Sequence, residues 1–159
     1  MNKTNAQRFL ESKKIAHESK VYDETGEFHS ADEAARLIGA PVDSVYKTLV
    51  VMRETPGRKP LLVMVAANRE IDLRMLAKSV GEKKLRMATQ REAEQLTGMQ
   101  VGGISALGLL NRGFEICVDR PALSLEQIHV SGGTRGLDLK LAVADLVQLT
   151  RARVVDATA

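Results

Sequence analysis

The sequence predicts an α+β fold in a single domain spanning residues 1–159. Three observations lead there. Apolar stretches with strand character are mixed with short amphipathic helices, without the regular strand-helix-strand beat that a doubly wound sheet requires. Helix starts are marked by capping residues and helix ends by glycine. The length suits one domain that buries about two-thirds of its unfolded surface, and no internal repeat, low-complexity tract or linker divides it.

Taken in order, Thr4 caps a first short helix that carries Ala6, Phe9 and Leu10 on one face, and "IAHESKVY" reads as a strand. In "SADEAARLIG", Ser30 and Glu33 form a capping box and Gly39 stops the helix before Pro41. "VYKTLVVMR" and "PLLVMVAA" are strands joined by a Pro-Gly turn, as in a hairpin. Asp72 caps "LRMLAKSV", which ends at Gly81, and Thr89 with Glu92 forms a capping box for "QREAEQLTG". Three short strands follow, "FEICVD", "IHVSG" and "LDLKLA", before the amphipathic helix "VADLVQLT".

Composition is ordinary, with 44% hydrophobic and 27% charged residues, but aromatics are scarce: no Trp, two Tyr and three Phe. Stacking platforms of the RRM or OB type need more, so any bound nucleic acid is expected to be held by its backbone. The net charge of +3 permits an anionic partner without demanding one. Two basic clusters, Arg53 with Arg58 and Lys59, and Lys83 with Lys84 and Arg86, read as solvated surface charge. One cysteine excludes an internal disulfide framework and suits a reducing compartment. The N-terminal residues lack the apolar core of a signal peptide and no apolar run reaches membrane-spanning length, so the expected location is the cytoplasm.

Strand alternation puts Val45, Lys47, Leu49 and Val51 on one face and Tyr46, Thr48 and Val50 on the other. Lys47 therefore stands in an apolar row. A desolvated ammonium is costly, so this lysine either snorkels to water at the strand end or meets an anion.

Two glycine-rich segments, "VGGISALG" and "VSGGTRGLDLKL", fit neither the Walker nor the Rossmann spacing, and the second leads into a strand rather than a helix. Glycine spacing alone speaks for tight turns or a close approach. His17, His29 and His129 are too scattered for a metal site and read as surface or packing residues. Cys117, on the face of Glu115 and Asp119, reads as structural, because those neighbours raise a thiol pKa. What remains is Lys47, the loop hydroxyls Ser105 and Ser131, and Arg135 with Asp138: cations and hydrogen-bond donors without an evident nucleophile. Such a set suits charge developing on a carbonyl or phosphate oxygen.

"VYKTLVV", "TGMQVGGISALG" and "VSGGTRGLDLKLAVADL" together resemble the YbaK family of free-standing aminoacyl-tRNA deacylases, similar to the editing domain inserted in bacterial prolyl-tRNA synthetases. The likeness runs over nearly the whole chain. It implies a curved, mixed, barrel-like sheet flanked by short helices, and clearance of a mischarged amino acid, most often cysteine on tRNA(Pro). No metal or other cofactor is expected from the residue spacings; prolyl-tRNA synthetase is a candidate partner, and monomer is the default state. Lys47 matches the family's functional lysine, with Thr48 in the same motif. Gly102 and Gly103 match pocket glycines beside the ester; Ser131, Gly132, Gly133 and Asp138 match the second loop; Tyr22 matches a pocket tyrosine. The segment after Tyr22 is short for the family, and Phe28 falls in it as a further pocket residue.

Two departures stand out. Ala106 replaces the family proline of "GGISPLG", which frees a backbone φ, and Met99 replaces the tyrosine of "TGY". They leave open which amino acid is removed. The alternatives are a deacylase for another small residue such as alanine, and a non-catalytic module that binds tRNA or a synthetase.

Overall fold

Helix caps organise the first half of the chain much as the sequence predicts. In the computed structural model, which describes residues 2–159, Thr4 opens α1 (Asn5–Ser12) with a reciprocal capping box to Gln7. Strand β1 (His17–Val21) and helix α2 (Ala31–Ile38) follow. The Ser30 box is only half present: Ser30 Oγ accepts from the Glu33 N–H, but the Glu33 carboxylate turns away to the His29 ring. The hairpin is β2 (Tyr46–Arg53) with β3 (Leu61–Ala66), antiparallel, with Lys47 opposite Val65. Next come α3 (Leu73–Val80) capped by Asp72, β4 (Leu85–Met87), and α4 (Gln90–Thr97) with the Thr89–Glu92 box complete. The chain finishes with β5 (Glu115–Asp119), β6 (Gln127–Ser131), β7 (Leu137–Ala142), α5 (Val143–Thr150) and β8 (Arg153–Val155). Among the described residues no helix is long and apolar enough to cross a membrane.

The expected barrel-like sheet is corrected by the strand order. The described residues form two sheets, β1-β7-β6 and β4-β2-β3-β5-β8, and they do not close on each other. The smaller is antiparallel; in the larger, β3, β5 and β8 run parallel and β2 pairs antiparallel with β3 and β4. Where closure would occur, one isolated parallel bridge links Val45 to His129. Beyond it, a cavity separates β2 from β6.

The main core lies between the sheets. Val50, Leu62 and Met64 of the large sheet meet Ile128, Val130, Leu139 and Leu141 of the small one, closed off by Leu10 and Leu146. On the outer face of the large sheet, Val51, Leu61, Val63 and Val65 pack with Leu76, Leu85, Cys117 and Val155. All six residues of β3 are buried because both faces are covered, which explains why its sequence is apolar throughout rather than alternating.

Candidate functional site: an apolar pocket in the gap between two sheets

The cavity between β2 and β6 has a volume of about 310 Å³, at the small end for ligand sites. Its wall runs from Val45 along β2 to Val50, crosses Ala93 at α4, and returns through Gly102, Ile104, Val130, Ser131 and Asp138. Tyr22, Phe28 and His29 complete the rim from the segment between β1 and α2.

Lys47 lines this pocket, and no carboxylate lies within 4.0 Å of its ammonium among the described residues. It is thus a cation on an apolar wall without a protein counter-ion. Beside it, Thr48 Oγ1 is buried with no hydrogen-bond partner. An unpaired buried hydroxyl costs about 1–3 kcal/mol unless something bonds it, so Thr48 adds an unused polar contact to the wall.

The two glycine loops press together behind the pocket. A Cβ on Gly103 would fall 2.7 Å from the Arg135 backbone nitrogen, so no larger residue fits without moving the second loop. The Gly103 N–H donates to the Gln100 carbonyl at 2.8 Å and is not free for a ligand. Gly102 has φ +93° and does line the pocket. Ser131 lines it too, its Oγ accepting from the Gly133 N–H at 3.1 Å. Gly132 and Gly133 are not part of the wall: the Gly132 carbonyl accepts from Thr4 Oγ1 at 2.6 Å, pinning the start of α1 to this loop. Ser105 is also outside the wall, buried with its Oγ unpartnered.

Asp138 is only 4% exposed. Its Oδ2 accepts from His129 Nδ1 at 2.6 Å; since an ionised carboxylate only accepts, that ring nitrogen carries the proton. Tyr22 hangs over the same region. Burial raises its phenol pKa, the Gly136 backbone pulls it back in part, and the Asp138 charge adds to the rise, so Tyr22 stays a neutral donor.

His29 is the rim residue that sequence reasoning passes over. Its Nε2 faces Asp23 and its Nδ1 faces Glu33. Both carboxylates accept, so both ring nitrogens donate and the ring is an imidazolium. Asp23 first and Glu33 second raise the His29 pKa, while the ring holds Asp23 down at about 2. The clamp ties the Tyr22–Phe28 segment to the start of α2. The His29–Glu33 spacing of four was a visible signal; Asp23 was not, because it arrives through loop closure.

Cys117 is fully buried outside the pocket wall, and burial, with Glu115 adding to it, pushes its thiol up to about 12. Asp119, expected to contribute, instead accepts from the Ala157 N–H and the Thr158 hydroxyl. The basic clusters are largely matched by acids: Arg53 and Arg58 by Glu115, Arg86 by Glu92 through two 2.8 Å hydrogen bonds, and Lys84 by Glu54. The two departures from the family pattern share one turn behind the pocket. Met99 Sδ accepts from the Ser105 N–H at 3.4 Å, and Ala106 begins the single 3₁₀ turn that follows. Neither residue is in the wall.

Two open sheets thus flank an apolar pocket with Lys47 in its wall. A crystal structure of a provisionally assigned trans-editing enzyme for prolyl tRNA synthetase superposes with a TM-score of 0.80 at 27% identity, covering 100% of this chain and 99% of that one. The family model for the aminoacyl-tRNA editing domain matches residues 25–149, and the chain belongs to that family. An Enterococcus faecalis protein, provisionally named Cys-tRNA(Pro)/Cys-tRNA(Cys) deacylase EbsC, is 31% identical over 98% of this chain and 93% of its own length. A proline–tRNA ligase of Limosilactobacillus fermentum is 27% identical over 105 residues, which are 64% of this chain and 18% of the ligase.

Proposed function

We propose that this chain is a trans-editing deacylase that clears cysteine from tRNA(Pro), with Cys-tRNA(Cys) as a second substrate, and that it uses the substrate's own thiol as nucleophile. The observation that carries this reading is an apolar pocket with an unpaired cation, Lys47, and no competent protein nucleophile in its wall. Cys117 is buried elsewhere with a high pKa. Ser131 Oγ is engaged by the Gly133 N–H, and among the described residues no hydrogen bond joins it to a base.

In this mechanism the cysteinyl thiolate attacks its own ester carbonyl carbon. The resulting oxyanion faces the Lys47 ammonium. Collapse breaks the bond to the ribose oxygen, which takes up a proton, and the products are a cyclic thiolactone and free tRNA. Confinement in a cavity of about 310 Å³ supplies proximity, and Lys47 supplies electrostatic stabilisation. The acceptor end of mischarged tRNA is the partner in this reading, and the ligase match makes prolyl-tRNA synthetase a candidate for delivering it; monomer is the default state.

The deciding experiment incubates the protein with Cys-, Ala- and Pro-charged tRNA(Pro), and with tRNA(Pro) carrying S-methylcysteine. Rapid loss of cysteine alone, with a thiolactone product, is expected. Equal loss of S-methylcysteine would refute the thiol mechanism, faster loss of alanine would reassign the substrate, and no loss at all would leave a binding module.

A further inference from the structure

The geometry points to the free edge of β1 as a docking strand for a second copy of this chain, in a two-fold antiparallel pairing centred on Ser19. This inference goes beyond the deacylase reading and does not depend on it; the dimer takes the place of the default monomer. Strand β1 is an outer strand of the small sheet and pairs only with β7. Glu18, Ser19, Lys20 and Val21 are all exposed, Val21 at 41%.

The existing ladder fixes which backbone groups are available. The Tyr22 N–H donates to the Gly136 carbonyl at 2.8 Å, and these residues stand directly opposite each other in the register that pairs Val21 with Leu137. In an antiparallel pair, hydrogen-bonded positions alternate with non-bonded ones. Lys20 and Glu18 therefore turn their backbone groups toward β7, and His17, Ser19 and Val21 turn theirs toward the open edge. A docking strand must use those three.

Charge then selects one register. Placing the two-fold axis at Glu18 opposes that residue with its own copy, and placing it at Lys20 does the same there; like charges directly opposite destabilise a strand pair. With the axis at Ser19, Glu18 faces Lys20 of the second copy, and His17 faces Val21. The same register extends a row already present in one chain, where Lys140 lies opposite Glu18, their charged atoms 3.6 Å apart, and Asp138 lies opposite Lys20. Across the joined sheet the order becomes Lys140, Glu18, Lys20, Asp138, with alternating sign. Charged side chains ordinarily deter pairing at a sheet edge. An antiparallel copy presents Glu-Ser-Lys in reverse, so the deterrent fails against the chain itself. A strand of five residues makes a small interface, and the dimer is accordingly weak and reversible.

The test is sedimentation velocity over a concentration series for wild type, Glu18→Lys, Lys20→Glu, and an equimolar mixture of the two variants. Wild type is expected to dimerise in the micromolar range, and less so at high salt. Each variant alone sets like charges face to face and should stay monomeric, whereas the mixture pairs opposite charges again and should recover the dimer. Amide exchange of wild type adds residue detail: the N–H groups of His17, Ser19 and Val21 should slow as concentration rises, and those of Glu18 and Lys20, already bonded to β7, should not. Wild type that stays monomeric into the millimolar range would overturn the pairing, as would dimers that both single variants retain. Folded variants that fail to recover the dimer on mixing, or slowing confined to other residues, would overturn it too. If a variant does not fold, the wild-type exchange pattern decides alone.

Discussion

His129 donates through Nδ1 to Asp138 Oδ2 across 2.6 Å, joining the residue that bridges the two sheets to a carboxylate in the pocket wall. Removing the donor strands a buried charge. His129→Ala should therefore lower stability by about 1–3 kcal/mol in urea denaturation. Adding Asp138→Asn should recover part of that loss, because a neutral amide is cheaper to leave buried. An unchanged midpoint in the single variant would show that the link carries no energy.

Among the described residues Lys47 has no counter-ion, so Lys47→Ala should cost little stability, which leaves function as the readout. Deacylation should fall on the order of a hundredfold or more, as when a preorganised electrostatic donor is deleted. Melting temperature and turnover measured on the same preparation decide it, and an active but destabilised variant would mark Lys47 as structural.

Cys117 is packed among Val51, Val63 and Val155 in the outer core. Cys117→Ser should leave turnover nearly intact while lowering stability, since a hydroxyl buried there without a partner costs about 1–3 kcal/mol. A large loss of rate in a folded variant would contradict nucleophilic action by the substrate thiol.

The His29 clamp has a predictable pH window. Because its folded pKa lies above the ordinary 6.5, its contribution is complete below 6.5 and is lost as pH rises through the raised value. Asp23, at about 2 against an ordinary 3.8, contributes above 3.8 and loses its share as pH falls toward 2. Hydrogen exchange at residues 22–29, corrected for intrinsic rates, should be slowest between those ordinary values and faster at alkaline pH. His29→Gln should remove the alkaline change, and identical profiles for both proteins would rule the clamp out.

Restoring the family proline should stabilise the protein. Ser105, at φ −123° and ψ 123°, already has the extended conformation that precedes proline, and Ala106 opens a 3₁₀ turn where the N–H is spare. Ala106→Pro should add about 0.4–1 kcal/mol, read as a higher melting temperature. A lower one would mean that the ring cannot fit beside Met99.

Much of this protein was legible without coordinates. Thr4, Asp72 and Thr89 cap their helices as their spacing predicts, because a cap is satisfied within three residues of itself. The hairpin of Tyr46–Arg53 with Leu61–Ala66 was equally readable from two strand patterns around a Pro-Gly turn. Local rules also isolated Lys47, since a charge in an apolar strand is conspicuous from period two alone.

What the sequence could not decide depends on residues far apart in the chain. The three-residue strands Leu85–Met87 and Arg153–Val155 are too short to show a period and form only because a sheet edge is there to receive them. The Ser30 box fails because Glu33 meets His29, and that ring is held by Asp23 from across a loop. Above all, only tertiary packing leaves the sheets unclosed after the Val45–His129 bridge. The number of strands that pair there is set by side-chain volume contributed from several elements, whereas a strand pattern records only which face is apolar; the gap that becomes the pocket is therefore a property of the assembled fold.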